Sequence, residues 1–218
     1  MHHRSRLILA ALAATAVLAL AVSDASAGRF STSERNFEVI WDNALSNKTD
    51  LEIIDSTAGI NIRCRATLLG HFNESTIIKS SSINQYTITH GAIVNACEGG
   101  SATLRTETLP WNGRFRDYIG TLPRITSIFL SFIGMRIHLR ELRGTECEAT
   151  SEANHPAIHI VERGLETTGE AEDIIADRNG RIPIRGSFLC DFAGEGELGG
   201  IGLIRNLPRT GKIRLTLI

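Results

Sequence analysis

Apolar and polar residues alternate along most of this chain with the period of two that is typical of half-buried β-strands. The clearest example is the segment 60–68, in which every second side chain is apolar or small. Similar segments are residues 37–41, 85–89, 102–106, 125–133, 158–161, 182–188 and 213–218. Gly, Asn, Asp and Pro separate these segments at short intervals. The pattern predicts the all-β fold class, as an antiparallel sandwich or barrel.

Few segments depart from this period. Residues 170–177 are the one plausible helix, and a short turn is expected near 75–80. Asn179-Gly180 predicts a tight hairpin turn, because Asn and Gly both tolerate a positive φ.

The first residues have the order of a secretory signal peptide. A positive start with Arg4 and Arg6 precedes the apolar segment 7–22, and a small-residue cleavage site ends at Ala27. An uncleaved anchor is the alternative, but a membrane-spanning helix needs about 20 apolar residues. We therefore expect a signal peptide over 1–27 and a single β domain over 28–218, in a secreted or extracytoplasmic location.

Charge and composition limit the classes of partner. Without its first 27 residues the 218-residue chain keeps 191, with 21 basic and 23 acidic residues and a net charge of −2. A near-neutral chain is not a polybasic nucleic-acid binder, so we expect no nucleic-acid partner. No apolar run after the leader approaches a spanning helix, so we expect no membrane insertion of the mature chain.

Four cysteines remain after export, which makes two disulfides the default in an oxidising compartment. Three connectivities are open. We favour Cys64 with Cys97 and Cys147 with Cys190, because each pair then lies within one half of an apparent repeat. A zinc site is disfavoured, since no closely spaced Cys-x-x-Cys pair is present.

The apparent repeat has the order cysteine pair, Leu-Pro-Arg, amphipathic strand. Leu-Pro-Arg occurs at 122–124 and again at 207–209, followed in both places by apolar residues at matching offsets. We interpret this order as an internal repeat with halves at about 37–134 and 135–218; coincidence of short strand patterns is the alternative.

Several short motifs in the first half resemble a group of uncharacterised secreted proteins of the actinobacterial type. The motifs are Phe37-x-Val39-x-Trp41, Cys64-x-x-Thr67-Leu68-x-Gly70-x-Phe72, Thr76-Ile77-x-Lys79, Cys97-x-Gly99-Gly100, Thr106-Glu107-Thr108-Leu109-Pro110-Trp111 and Gly120-Thr121-Leu122-Pro123-x-Ile125. The resemblance covers about residues 37–134. It implies a bacterial source and carries no activity or site residues.

Metal and cofactor motifs are weak. His155, His159 and Glu162 would share one face of a helix and could hold zinc, but the apolar sequence around His159 favours a strand that separates them. The glycine-rich segment 194–199 has the spelling of a dinucleotide fingerprint without the strand and helix that such a site needs. We therefore predict no cofactor and no metal.

A segment rich in aromatic residues and arginine is the best candidate for binding. Trp111, Arg114, Arg116 and Tyr118 lie close together and could form a ligand or protein patch, since such side chains offer large contact areas. The alternative is a strand whose aromatic side chains enter the core while its arginines face water.

No coherent catalytic constellation can be identified, so we lean towards a protein without enzymatic activity. The leading hypothesis is a secreted β-rich binding or structural module of the cell envelope or extracellular space, with an unknown ligand or surface partner. A small secreted hydrolase that uses carboxylates or histidines is the alternative.

Overall fold

The fold was examined in a computed structural model. The structure describes residues 28–80, 82–94, 97–121, 124–141, 144, 146–162, 170–171, 173–176, 181–186, 190, 194–207 and 211–217. The expectations for the leader 1–27 and for Asn179-Gly180 lie outside these residues.

The described residues form nineteen β-strands and one 3₁₀ turn, Thr106–Thr108. The strands are β1 (Arg29–Thr32), β2 (Asn36–Trp41), β3 (Leu51–Asp55), β4 (Ile60–Cys64), β5 (Ala66–Phe72), β6 (Thr76–Ile78), β7 (Tyr86–Ile93), β8 (Gly100–Leu104), β9 (Trp111–Thr121), β10 (Arg124–Ile133), β11 (Arg136–Glu141), β12 (Glu146–Thr150), β13 (Ala157–Glu162), β14 (Glu170–Ala171), β15 (Asp173–Ala176), β16 (Arg181–Gly186), β17 (Glu195–Gly199), β18 (Ile201–Asn206) and β19 (Ile213–Leu217). The all-β prediction is confirmed.

The strands form three antiparallel sheets. Eight strands close into a barrel in the order β10-β13-β15-β18-β2-β5-β7-β9. Seven strands form a nearly closed sheet in the order β4-β3-β17-β16-β12-β11-β8, which we call the upper tier. A small sheet has the order β14-β19-β1-β6.

The upper tier continues the barrel strand by strand. Each of its seven strands is next in sequence to one barrel strand, and the two sets follow each other in the same spatial order. The matched pairs, upper tier first, are β4 with β5, β3 with β2, β17 with β18, β16 with β15, β12 with β13, β11 with β10 and β8 with β9. The two sheets therefore form one elongated barrel whose strands are interrupted at a waist.

A single apolar face runs through both tiers. In β4 and β5 the alternation is unbroken across the junction, with Ile62, Cys64, Ala66, Leu68 and Phe72 all buried. This is the segment in which the alternation was clearest, and it traverses the waist because Arg65 remains extended between two paired strands. The apolar side chains fill the interior, so the barrel has a packed core of the kind expected for eight strands.

Aromatic rings inside the barrel lie over glycines on neighbouring strands. Tyr86 is directly opposite Gly113, where an added Cβ would come within 1.8 Å of the tyrosine ring. Phe37 is opposite Gly70, and a Cβ there would approach the phenylalanine ring to 2.8 Å. The missing side chains make room for large rings that fill the narrow interior.

The small sheet closes the end of the barrel that lies away from the upper tier. Phe30 of β1 is fully buried and contacts the rings of Phe72 and Phe115, with centroids 6.2 and 5.0 Å apart. Phe72 is the last residue of β5, which places this contact at the barrel end. Strand β1 is held between β6 and β19, so the two ends of the described chain meet in this cover.

The two disulfides have the predicted connectivity, and one lies where the upper tier lacks a strand. Among the described residues, the chain that follows β7 pairs with β4 through an isolated bridge between Arg63 and Glu98, and Cys97 is bonded to Cys64 beside that bridge. The second disulfide joins Cys147 of β12 to Cys190. The first bond thus fastens the seam of the sheet, where edge strands would otherwise be poorly held.

Two local predictions are wrong. Residues 170–177 are not helical where the structure describes them, because β15 is paired on both sides, with β13 and β18, and these pairings override local propensity. Residues 76–78 form β6, where a short turn was expected.

The proposed repeat stays a prediction. Strands of both halves contribute to each of the three sheets. The strand after the first Leu-Pro-Arg, β10, lies in the barrel, and the strand after the second, β19, lies in the small sheet.

Candidate functional site

A row of apolar side chains crosses the outer face of the barrel. Phe129 is directly opposite Ile160, Ile160 is opposite Ile175, and Ile175 is opposite Ile201, on four adjacent strands. Directly paired residues point to the same face of a sheet, and each of these four alternates with buried neighbours that point inward. All four are only partly buried. We call Phe129, Ile160, Ile175 and Ile201 the outer apolar row.

The neighbouring positions on the outer face are polar on one side. Ser127, Glu162 and Asp173 lie in the adjacent register positions of β10, β13 and β15. The Ser127 hydroxyl donates to Glu162 Oε1 at 2.9 Å, and Lys48 Nζ lies 2.6 Å from Asp173 Oδ1 in a buried ion pair. The apolar surface is therefore bounded on this side by polar side chains.

One end of the row opens into a cavity of about 570 Å³, which we call the Arg116 cavity. It is lined by Arg116, Asp117, Tyr118, Ile119, Phe129 and Ile158. Ile119 is 54% exposed, which is unusual for a large aliphatic side chain on a strand. The cavity combines an apolar floor with charged side chains at one edge.

The charged side chains at this edge of the cavity do not neutralise one another completely. Lys79 Nζ lies 2.7 Å from Asp117 Oδ1 and 5.9 Å from the centre of the Tyr118 ring. The hydrogen bond from Lys79 holds the pKa of Asp117 below its ordinary value. Arg116 has no acidic partner within ion-pair distance among the residues that the structure describes. The edge therefore carries one positive charge in excess.

The other end of the row lies in a second cavity of about 370 Å³, at the waist. Its apolar lining includes Ile160, Ile175 and Ile201, and Thr49 and Glu52 form its polar side. Glu52 pairs with Arg63 at 3.3 Å. The two cavities meet on β13, since Ile158 faces the first and Ile160 the second.

The structure divides the predicted binding patch. Trp111 is 1% exposed and donates its indole N–H to the Thr108 hydroxyl at 2.7 Å, so this side chain belongs to the core. Arg114 is half-buried and contacts Asn84. Arg116 and Tyr118 both line the Arg116 cavity. Two of the four candidates thus contribute to one surface.

The three weak metal candidates are on a strand and not on a helix. His155 precedes β13, His159 points into the barrel, and Glu162 bonds Ser127 on the outer face. No group of three or more His, Cys, Asp or Glu side chains in the described part of the chain is arranged to hold a metal ion.

The environment of His159 in the interior is nonetheless unusual for a histidine. Its ring lies 4.4 Å from that of Phe132 and 5.7 Å from that of Trp41, and burial lowers its pKa to about 3. The Nδ1 of His159 and the Nε1 of Trp41 have no hydrogen-bond partner among the described residues.

A third cavity, of about 180 Å³, lies at the open end of the upper tier. It is lined in part by three carboxylates, Asp55, Glu195 and Glu197, and by Arg181. Asp55 is 3% exposed and accepts the backbone N–H groups of Thr57 and Ala58, which caps the turn after β3. Glu195 pairs with Arg181 at 3.4 Å. Asp55 and Glu195 therefore already have structural partners.

Sequence reasoning missed the outer apolar row. Its signal is present in segments that are apolar on both faces, such as 158–161 and 128–132, which carry Ile or Phe at outward positions. Near-continuous apolar strands indicate that both faces are covered or are used. Periodicity alone indicates that these segments are strands and does not show whether their outward side chains are covered.

The search against known proteins returned no relative. No protein-family model, no curated protein and no solved structure matches this chain. In the described residues, no helix is long and apolar enough to cross a membrane. The two disulfides are consistent with an extracellular protein.

Proposed function

We propose that this protein is an exported binding protein without catalytic activity, whose ligand surface is the outer apolar row with its two cavities. The observation that carries the proposal is the register of the row. Four partly exposed apolar side chains on four adjacent strands form one continuous stripe, flanked on one side by polar residues. Contiguous apolar surface with a polar rim is typical of interaction sites.

The packed interior supports an external site. Tyr86, Trp111 and Phe132 are among the large side chains that fill the barrel, and each is almost completely buried. A barrel of this kind binds ligands on its outside or at its ends, and Phe30 of the small sheet covers one end.

The ionisable groups also favour binding over catalysis. Among the described residues, a shifted pKa occurs at Tyr86, Asp117 and His159. Tyr86 and His159 lie in the closed core, and Asp117 is in a surface ion pair, so the three do not share a cavity. General acid–base catalysis needs such groups within reach of one substrate.

Export is the second part of the proposal. The sequence of residues 1–27 and two disulfides support a secreted or extracytoplasmic location, since disulfides persist mainly in oxidising compartments. Mass spectrometry of the protein released from an expressing bacterium should give a chain that starts at Gly28; a mature protein that starts at Met1 would contradict cleavage.

Nile red, an uncharged apolar dye, tests the surface. We expect its fluorescence to rise on binding the native protein, and the double variant I160T/I175T to reduce its affinity by at least tenfold. Thr is β-branched and keeps the preference of Ile for strands. Melting temperatures of all variants should be measured alongside.

The matched control is Leu69→Thr, which changes a half-buried aliphatic side chain on the outer face of β5, away from the row. This variant should bind the dye like the wild-type protein. If the dye does not bind, or if both variants bind it equally, the outer apolar row is not a ligand surface.

The hydrolase alternative has one specific location, the cavity with three carboxylates at the end of the upper tier. It predicts hydrolysis of chromogenic glycosides or esters that is lost on Glu197→Gln. If the wild-type protein has no such activity, the binding proposal is the better account. Activity that survives this substitution would place a hydrolytic site elsewhere and contradict the proposed absence of catalysis.

A further inference from the structure

We propose that the outer apolar row binds one long-chain amphipathic anion of the fatty-acid class, with its carboxylate at Arg116 and its chain along the row. This inference rests on the proposed function and adds the chemical class of the ligand. It is based on the charge at one end of the row and on the shape of the stripe.

The charge at the Arg116 cavity selects an anion. Lys79 and Asp117 neutralise each other, while Arg116 has no acidic partner among the described residues. A guanidinium group at the edge of an apolar cavity can donate two parallel hydrogen bonds to a carboxylate. An uncharged ligand would leave this capacity unused.

The dimensions of the stripe select a single extended chain. Neighbouring strands lie about 4.8 Å apart, so the distance from β9 to β18 is roughly 19 Å across four such steps. The adjacent register positions on one side hold Ser127, Glu162 and Asp173, and Ile158 extends the apolar surface on the other side. The length requires a long chain, and the polar side limits how far an apolar ligand can spread.

The small area of the outer apolar row disfavours larger partners. A stable interface between two copies of a protein buries about 800 Å² on each copy, which is much more than one row of four side chains provides. A bilayer surface would bring the flanking carboxylates, Glu162 included, against lipid, which is costly for charged groups. A single amphipathic molecule avoids both conflicts.

The decisive experiment compares dodecanoate with dodecanol, which differ in the charged head group and share the chain. Each is used to displace Nile red from the native protein at pH 8, where the acid is ionised. We expect dodecanoate to bind about tenfold more tightly, because a hydrogen-bonded charge contributes this much at a partly exposed site. Arg116→Gln should remove the difference while dodecanol binds unchanged.

Arg136→Gln is the matched control, since Arg136 is an exposed arginine of the upper tier, far from the row. It should bind both molecules like the wild-type protein. If Arg116→Gln does not fold, the salt dependence of the wild-type protein provides the answer: dodecanoate affinity should fall between low and high salt, and dodecanol affinity should not.

Several results would overturn the inference. Equal affinities for dodecanoate and dodecanol would show that the ligand need not be an anion. The proposed function would still stand if Nile red binds. Binding to phosphatidylglycerol vesicles without binding of monomeric dodecanoate makes the row a membrane surface. A dimer in sedimentation experiments that excludes the dye makes it an interface between copies. Loss of Nile red binding itself rejects both proposals.

Discussion

Two phenylalanines three positions apart in β10 have opposite surroundings. Phe132 is 1% exposed inside the barrel and contacts the rings of Tyr86 and His159 at 5.4 and 4.4 Å. Phe129 lies on the outer face, opposite Ile160, and is partly exposed. The inner ring stabilises the fold through packing. The ring of Phe129 is partly exposed to solvent and therefore stabilises the fold less. Stability of the fold alone does not explain an aromatic side chain at this position.

The largest expected effect tests this contrast directly. Phe132→Ala should lower the free energy of unfolding by about 4 kcal/mol, because it leaves a cavity in a packed core. Phe129→Ala should cost about 1 kcal/mol, since its side chain is already partly hydrated. Urea unfolding at neutral pH measures both values.

The same two variants separate stability from binding. Phe129→Ala should weaken Nile red binding in a protein that still folds cooperatively. If Phe129→Ala destabilises the protein as much as Phe132→Ala does, the outer face belongs to the core and the contrast between the two faces is lost.

An intermediate effect concerns pH and the buried imidazole. His159 has a pKa of about 3 in the folded protein, against about 6.5 when unfolded, so the unfolded chain binds more protons between these values. Stability is therefore full above pH 6.5 and falls as the pH decreases towards 3. We expect a loss of about 2 kcal/mol between pH 7 and pH 5 from this residue.

His159→Leu should remove this part of the pH dependence, because leucine cannot be protonated and has a similar volume. His138→Gln is the control, since His138 lies at the surface beside Glu146 and should leave the slope unchanged. Chemical unfolding at several pH values gives the comparison, and an unchanged slope in His159→Leu would show that another group dominates acid unfolding.

The smallest expected effect is the difference in stability between two tyrosine variants. The buried Tyr86 hydroxyl donates to the Ser131 carbonyl at 2.8 Å, so Tyr86→Phe should cost about 1 kcal/mol. Tyr118 is only partly buried and lines the Arg116 cavity, and Tyr118→Phe should change stability by a few tenths of a kcal/mol at most. Equal costs in thermal unfolding would contradict the distinction between a buried and a partly exposed tyrosine.

Strand positions were the part of the fold that local sequence predicted well. The segments 60–68, 125–133 and 158–161 all lie in strands, because alternation over several residues depends only on one face being buried. Residues 170–177 were predicted as a helix from local preference, and pairing with β13 and β18 decided otherwise. The preference of a short segment is weak against hydrogen bonds on both its edges.

The candidate site was predictable only in part. Arg116 and Tyr118 were identified from composition, whereas Trp111 was grouped with them and lies in the core. Composition marks residues that are able to bind, but it does not say which face of the strand each one occupies after a bulge. β9 has such a register shift opposite Phe129 and Leu130.

The sequence by itself determined the all-β class and the strands with clear alternation, since these follow from local periodicity. It favoured the two cysteine pairs, because each lies within one half of the apparent repeat, and the structure has these pairs. Only the tertiary structure decided that the strands form one barrel in two tiers and that Phe129, Ile160, Ile175 and Ile201 lie in a row. These four residues are up to 72 positions apart in the chain. Their alignment depends on the register of three strand pairs, which no local pattern specifies.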